Sequence, residues 1–357
     1  MAYRVTASVS PAADTPIEQT LVRLWTDNLH MQGDPRHKYE WYYRNNPLGP
    51  ATAFFLEHVD AQGATSIVGS CGVGTRRIIV AGQPLSAALF ADFTVDKAHR
   101  TVMPAMVLQR ALCAQATASH DFAYAFPNDA AVGIFQRIGL RSVGRVRRFV
   151  KVLHSAALLR PYLRWAPAAS LAGAVVDYAL AVKDILRGAG HRRYSFEWLE
   201  GPDERFDRLW EKVQPTWKNI GERNAEFLRW RFTTRPGVPS RLAALIDRKT
   251  REVHAYAAVV DKTPREARVV DFLATSNELL ALLLTKLGPA LAAKGYERAV
   301  TYFLGPRSVD AALEHAGFRF RNEAKFVIVG ARAEGPIATP ALAQEDDWYL
   351  TEADRDN

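Results

Sequence analysis

The sequence predicts a mixed α+β fold made of two tandem copies of one domain, each a mixed, mostly antiparallel sheet flanked by helices. Three observations support this prediction. With 357 residues, 48% of them hydrophobic, the chain is too long for one ordinary core. Segments of the first half recur in the second half at nearly constant spacing. Strand-like and helix-like segments alternate within each half, which is typical of sheets covered by helices.

The internal repeat is visible in three pairs of segments. These pairs are YEWYYRNNPLG (39–49) with AEFLRWRFTTRPG (225–237), LFADFTV (89–95) with RVVDFLA (268–274), and FAYAFPNDAAVGIFQRIGL (122–140) with VTYFLGPRSVDAALEHAGF (300–318). The second pair places Asp92 opposite Asp271, and the third aligns Gly139 with Gly317 without a gap. The two halves are therefore expected to share one order of elements.

The repeat also suggests domain boundaries. We predict an N-terminal domain over residues 1–153 and a C-terminal domain over residues 194–335, called the N-terminal copy and the C-terminal copy below. Residues 154–193 would connect them, and the acidic residues 336–357 are predicted to form a loosely held tail.

The connector is strongly basic. Eleven Lys or Arg and two acids lie between residues 141 and 193, although the whole chain carries a net charge of only +8. Helical periodicity covers residues 171–186. The apolar stretch 165–182 is about the minimum length for a membrane span but contains Asp177. A helix packed between the domains and a helix lying on a membrane surface are the other interpretations.

Within the N-terminal copy the pattern predicts a full set of elements. They are a helix at 15–29, strands at 51–57, 66–73, 76–80 and 87–95, a turn at 81–84, a helix at 104–119, a strand at 121–126, a helix at 129–138 and a hairpin near 140–153. The aromatic residues of the first repeated segment, with Trp230 in its partner, are expected to pack in the core rather than to bind sugars or bases.

The segment DFTVDKAHRTVMPAMVLQRAL (92–112) is typical of a strand, a short basic loop and a helix. It is preceded by NPLG after an aromatic helix and followed by PN and a helix ending FQRIGL. Over residues 15–330, both copies included, this order resembles the GNAT superfamily of acyl-CoA-dependent acyltransferases. More narrowly, it resembles the double-domain GNAT proteins associated with bacterial exopolysaccharide functions.

The resemblance implies a loop that binds the pyrophosphate of an acyl-CoA such as acetyl-CoA. GNAT enzymes use backbone N–H groups of an Arg/Gln-x-x-Gly-x-Gly/Ala loop that opens a helix, where the helix N-terminus favours anions. The pattern falls on Arg100, Thr101, Val102, Met103, Pro104 and Ala105. Met103 replaces a glycine, which is compatible with binding only if its side chain avoids the phosphates and its φ is negative. Pro104 removes one donor, and Lys97 and His99 would supply charge in compensation.

The same resemblance implies further cofactor contacts in the N-terminal copy. The strand would present backbone groups of Phe93 and Val95 to the thioester carbonyl. Asn128, a predicted helix cap, would also contact the cofactor. Phe135 stands where many GNAT enzymes have a tyrosine that protonates the departing thiolate. Tyr124, on the neighbouring strand, is therefore the candidate substitute.

Asp92 is the candidate general base for an incoming amine or hydroxyl. The recurrence of an aspartate at 271 leaves a structural role open as well. The C-terminal copy has only residues 275–277 between its strand and its helix, and Pro306 replaces Asn128. We therefore predict acyl-CoA binding in the N-terminal copy. The acceptor would lie between the copies. It could be a small molecule, such as a sugar amine or an amino acid, or a polysaccharide precursor.

Several other classes of protein receive weaker support. The Gly-rich GSCGVG (69–74) precedes a strand rather than a helix, and the nine histidines show no metal-ligand spacing. Two cysteines and the lack of a signal-like start favour a reducing cytoplasm. Tandem GNAT folds also occur in Fem-type aminoacyl-tRNA-dependent transferases, and the basic connector suits RNA or a weakly held anionic membrane surface. A non-catalytic scaffold is the remaining alternative.

Overall fold

The computed structural model describes residues 2–8, 15–29, 31, 33–154 and 192–356. The predicted connector helix at 171–186 and the apolar stretch at 165–182 lie outside these residues. Within the described ranges, no helix combines the length and the apolar character that crossing a bilayer requires.

The described part of the chain repeats one order of elements. The strands are β1 (Ala2–Ser8), β2 (Thr52–Val59), β3 (Thr65–Val80), β4 (Gln83–Val95), β5 (Phe122–Ala125), β6 (Arg141–Val152), β7 (Tyr194–Leu199), β8 (Asn219–Gly221), β9 (Ser240–Asp247), β10 (Val253–Thr263), β11 (Glu266–Ala274), β12 (Arg298–Phe303), β13 (Arg319–Ala331) and β14 (Trp348–Tyr349). The α-helices are α1 (Pro16–Asn28), α2 (Pro35–Lys38), α3 (Val102–Ser119), α4 (Asp129–Arg137), α5 (Glu204–Val213), α6 (Ala225–Leu228), α7 (Asn277–Ala292), α8 (Arg307–His315) and α9 (Thr339–Leu342). Two π-helical segments, Tyr39–Arg44 and Arg229–Thr233, complete the repeat.

The strands form one mixed sheet, as the sequence predicts. Its order is β1-β2-β3-β4-β5-β13-β6-β12-β11-β10-β9-β7. Most neighbours are antiparallel, and the pairs β4/β5, β11/β12 and β8/β14 are parallel. Strand β13 lies between β5 and β6, and β6 pairs with β12. The last strand of each copy is therefore inserted beside the other copy, and the sheet is continuous through the middle of the molecule.

The turn predicted at 81–84 is present but shorter, because Gln83 and Pro84 already belong to β4. Ala81 and Gly82 both have positive φ, 48° and 81°. Val80 pairs with Gln83 across this two-residue loop. Such a loop matches the right-handed twist of the hairpin β3/β4. The equivalence of Gly139 and Gly317 is also visible, because both end a helix with φ near 100° and 92°.

Two predicted strand boundaries are wrong for the same reason. Residues 66–73 and 76–80 form the single strand β3, and the hairpin near 140–153 is the single strand β6. Gly74 and Gly144 lie inside these strands, where each permits a close approach of another side chain. A Cβ would overlap the ring of Tyr42 at the first and the carboxylate of Glu345 at the second.

The acidic C-terminal segment is not a loosely held tail, contrary to the prediction. Trp348, Tyr349 and Leu350 are almost completely buried, and β14 pairs with β8. The Asp354 carboxylate is fully buried and accepts a hydrogen bond of 2.5 Å from Arg223. The segment is therefore part of the core, because its aromatic residues are buried and Asp354 pairs with the buried Arg223.

The aromatic residues of the first repeated segment pack in the core, as predicted. Trp41 and Trp230 stack with ring centroids 4.9 Å apart. Each indole N–H donates to the backbone carbonyl of the other residue, at 2.9 and 3.1 Å. The π-helical segments of the two copies are thus locked to each other by a reciprocal pair of hydrogen bonds.

Candidate functional site

A cleft opens where two parallel strands separate. The pairing of β4 with β5 ends at Leu89 and Tyr124, although β4 continues to Val95. Residues of both copies line the resulting cavity of about 760 Å³. The N-terminal copy contributes Lys38, Trp41, Cys71, Asp92, Phe93, Asn128 and Phe135, the C-terminal copy contributes Arg231, Arg235, Lys262, Arg268 and Lys325, and the C-terminal segment contributes Glu352 and Asp356.

Asp92 lies on a β-bulge at this opening. On β3 only Cys71 separates the paired residues Ser70 and Gly72, whereas two residues, Asp92 and Phe93, separate their partners on β4. Asp92 has a φ of 51°, which is uncommon for a residue other than glycine. A bulge with such a residue bends the strand and re-aims its side chain, and here it directs a carboxyl group into the cleft.

The Asp92 carboxylate is held by two donors. The Lys38 ammonium lies 2.5 Å from one oxygen, and the Tyr43 hydroxyl donates to the other at 3.1 Å. The Asp92 backbone N–H donates to the Asp356 carboxylate at 3.4 Å. Burial raises the pKa of Asp92, and the adjacent Lys38 charge opposes that rise. The result is a carboxyl group with enhanced basicity beside an open cavity.

Asp271, the equivalent aspartate of the C-terminal copy, is completely sealed. Its carboxylate accepts hydrogen bonds from Arg223 at 3.2 Å, from Thr351 at 2.7 Å and from Tyr256 at 2.5 Å. Both Asp271 and Arg223 have no exposed surface. The two copies thus use one position of the fold in different ways.

The predicted phosphate loop is tied to the end of β4. The Arg100 guanidinium donates to the Val95 carbonyl at 2.8 Å and to the Asn28 side chain at 3.0 Å. His99 shares a hydrogen bond of 2.9 Å with the Tyr3 hydroxyl, whereas Lys97 is exposed. Residues 97–105 do not contribute to the cavity lining given above. Arg100 and His99 therefore hold the loop in place, and Lys97 faces solvent.

The helix that follows the loop begins without a side-chain cap. The Thr101 side chain forms no capping hydrogen bond with α3, and the first turn of α3 contains no acidic residue. The backbone N–H groups of Val102 and Met103 have no partner within the helix because they lie in its first turn. Met103 has an ordinary negative φ and a 65% exposed side chain. The backbone thus has no need of glycine at 103. Pro104 and Ala105 are buried in the same turn.

The remaining predicted residues lie close to the cleft. Asn128 caps α4, as predicted, by accepting the Ala131 N–H at 3.0 Å. Phe135 stacks on Phe90 with centroids 5.9 Å apart. Tyr124 is fully buried, and its hydroxyl donates to the backbone carbonyl of Asp354 at 3.0 Å, while burial raises its pKa. The Tyr124 hydroxyl is therefore engaged by the C-terminal segment.

Sequence reasoning missed several charged groups of the cleft. Among them, Lys38 precedes the first aromatic segment, Arg235 belongs to the RPG of its repeat, Lys325 lies on β13, and Asp356 lies in the segment predicted to be loose. The basic character of the repeated aromatic segments was the available signal for the first two. Nothing local pointed to Asp356. Among the described residues, no cluster of three or more His, Cys, Asp or Glu is arranged to hold a metal ion.

Neither a protein-family model nor a curated protein matches the sequence. Solved structures do match the fold. A GCN5-related N-acetyltransferase from Anabaena variabilis aligns with a TM-score of 0.62 at 12% identity, over 91% of this chain and 72% of its own. A probable N-acyltransferase from Enterococcus faecalis aligns with 0.61 at 8%, over 93% and 72%. A GCN5-related N-acetyltransferase from Kribbella flavida aligns with 0.56 at 13%, over 98% and 81%. The chain therefore has the fold of the GNAT N-acetyltransferases.

Proposed function

We propose that the protein is an acyl-CoA-dependent N-acyltransferase that transfers an acetyl or related acyl group to an amine bound between the two copies. One observation carries this proposal: the parallel strands β4 and β5 separate beside the bulged Asp92, which opens a cleft to both copies. The uncapped N-terminus of α3 follows the same strand β4 and offers donors to a diphosphate.

The N-terminal copy would hold the acyl-CoA. The N–H groups of Val102 and Met103 and the exposed Lys97 form a donor set that suits a pyrophosphate. The bulge leaves Phe93 without a register partner on β3, so its backbone is available to the acyl group or its linker. Phe135 and Asn128 line the cavity beside it.

The transfer would proceed by direct attack. The acceptor nitrogen forms a bond with the thioester carbon, the carbon–sulfur bond breaks, and the electron pair leaves on the sulfur of coenzyme A. The Asp92 carboxylate takes the proton that the amine loses. Burial raises the basicity of Asp92 and so suits it to this task. Holding both substrates in one cleft would supply most of the acceleration.

The experiment is an acyl-transfer assay with acetyl-CoA and a panel of amines, which measures release of free coenzyme A and the mass of the acylated product. We expect acetylated product with the wild-type protein and a loss of kcat/KM of about 10²- to 10⁴-fold in Asp92→Asn. Asp346→Asn, an exposed position outside the cleft lining, is the matched control and should retain full activity.

Two results would contradict the proposal. One is a wild-type protein that neither binds acetyl-CoA nor acetylates any amine of the panel, which would favour a non-catalytic scaffold. The other is transfer from aminoacyl-tRNA with acetyl-CoA inert, which would favour the Fem-type interpretation.

A further inference from the structure

The wall of the cleft that the C-terminal copy provides is rich in cations, and two of them differ from the rest. Most ionic groups of the cleft are already paired. The ion pairs are Lys38 with Asp92 and Asp356, Arg268 with Glu266 and Glu352, and Asp261 with Arg241. Arg235 and Lys325 line the same cavity and form no ion pair with any described residue.

Arg235 is presented on a rigid platform. Its guanidinium lies 4.3 Å from the ring centroid of Trp41. That ring is itself fixed by stacking on Trp230 and by the reciprocal indole hydrogen bonds. A guanidinium that contacts an aromatic face in this way can still use its N–H groups to bind a carboxylate or phosphate with two hydrogen bonds. Burial lowers the pKa of Arg235 to about 10, so the group stays charged at neutral pH.

Lys325 is placed at the mouth of the opening between β4 and β5. Strand β13 has a register irregularity between Glu323 and Phe326, which re-aims the intervening residues. Further along β13, Ile328 pairs with Ala125, the last residue of β5, so Lys325 lies beyond the end of β5. Burial lowers the pKa of Lys325, and the nearby Arg355 charge lowers it further.

Both cations share one cavity with acids that are already engaged. Asp356 raises the pKa of Arg235 and of Lys325, although it forms its ion pair with Lys38. Two partly buried cations without an ion pair in one cavity are costly unless an anion from outside joins them. Among the acids that line the cavity, Asp92, Asp261 and Glu352 each have a cationic partner, and Asp34 is exposed and accepts the Arg36 backbone N–H.

We infer that the acceptor of the proposed acyltransferase is an amine that also carries an anionic group, a carboxylate or a phosphate, which Arg235 binds with Lys325 as a second contact. This inference rests on the proposed function and names the substrate class of the same cleft. It gives the C-terminal copy a task in the reaction, because that copy supplies both cations. The acceptor would lie with its anion on the C-terminal copy and its amine toward Asp92.

The kinetic test uses matched pairs of acceptors with acetyl-CoA. The pairs are glycine with glycinamide, and glucosamine 6-phosphate with glucosamine, which separate a carboxylate from a phosphate. We expect kcat/KM to be higher for the anionic member of one pair. Arg235→Gln should lower kcat/KM for that anionic acceptor by about 10- to 100-fold. The rate with the member that lacks the anion should change less than about threefold. Arg235→Lys should retain part of the preference, and the exposed Arg248→Gln should retain all of it.

A binding measurement separates failure of this inference from failure of the proposed function. Calorimetric titration without acetyl-CoA, at constant ionic strength, should show the better anionic amine binding to the wild type and to Arg248→Gln but at least about 10-fold more weakly to Arg235→Gln. Acetyl transfer without any anionic preference would overturn the inference and leave the proposed function standing. So would a loss in Arg235→Gln of acetyl-CoA affinity in place of acceptor affinity. Anion binding that depends on Arg235 in a protein inert toward acetyl-CoA would contradict the proposed function and leave the anion site standing.

Discussion

The two copies have an aspartate at the equivalent position of equivalent strands, Asp92 on β4 and Asp271 on β11, but in different surroundings. Asp92 has a bulged backbone, two donors and an open cavity in front of it. Asp271 has Arg223, Tyr256 and Thr351 packed around it and no exposed surface. The C-terminal segment makes much of this difference, because it supplies Thr351 and the Asp354 carboxylate that also binds Arg223. The residues that cover the carboxylate therefore decide whether it is sealed in the core or lines the cavity.

The largest expected effect concerns the cations that face these two aspartates. Arg223→Met leaves Asp271 and Asp354 buried without their shared cation and should lower the free energy of unfolding by about 3–5 kcal/mol. Lys38→Met should cost less than Arg223→Met, because Asp92 lines the cavity and Lys38 keeps 13% of its side-chain surface exposed, whereas Arg223 and Asp271 have none. Urea denaturation of both variants measures the difference. Equal losses would show that the two sites are not distinct in the way described.

A smaller loss of stability is expected from the substitution of Thr351, which covers Asp271. Thr351→Val keeps the shape of the side chain but removes the hydroxyl that donates to Asp271. We expect a loss of about 1–3 kcal/mol in the free energy of unfolding, since a buried acceptor loses a donor. Acetyl transfer by the folded protein should be unchanged. A selective loss of activity at unchanged stability would mean that the sealed site takes part in the reaction.

The pH dependence of activity distinguishes the open site. Burial raises the pKa of Asp92 above its ordinary 3.8, so kcat/KM should rise with pH through a limb that lies above the range of an exposed aspartate. Lys38 lowers this pKa, so Lys38→Met should move the limb to higher pH. Because the folded-state pKa is the higher one, Asp92 also contributes stability at low pH that is lost as pH rises through the same window. A limb that stays in place in Lys38→Met would exclude Asp92 as the base.

The smallest effect is expected from the substitution of Met103 in the predicted phosphate loop. Met103 is exposed and has an ordinary backbone conformation, so Met103→Gly should leave acetyl-CoA affinity nearly unchanged. Added flexibility of the free loop would weaken binding by at most roughly 1 kcal/mol. Calorimetric titration of the variant checks this. A large gain in affinity would mean that the Met103 side chain blocks the site of the wild-type protein.

Local features of the fold were predictable, because periodicity and turn chemistry act over few residues. Three features follow from neighbouring residues: the change from strand β4 to helix α3, the helix cap at Asn128 and the turn at Ala81–Gly82. The insertion of β13 between β5 and β6 was not predictable in this way. It depends on pairing between strands far apart in the chain, and the two copies offer equivalent partners.

The candidate site was predictable only in part. Asp92 and the loop at 97–105 carry a motif, whereas Arg235 and Asp356 acquire a role only when the C-terminal copy and segment close over the cleft. The segment around Asp356 looked solvent-exposed because it is acidic. Its burial follows from Trp348 and Tyr349 and from buried cations elsewhere in the chain, such as Arg223.

Titration calorimetry with acetyl-CoA tests the central claim, that coenzyme binding belongs to the N-terminal copy. We predict one site per chain in the wild type. Arg100→Glu should abolish it, because the change releases the loop from Val95 and reverses a charge near the phosphates. Thr275→Ala, at the equivalent place in the C-terminal copy, should leave it intact. Two sites per chain, no site, or a site lost in Thr275→Ala and kept in Arg100→Glu would contradict this account.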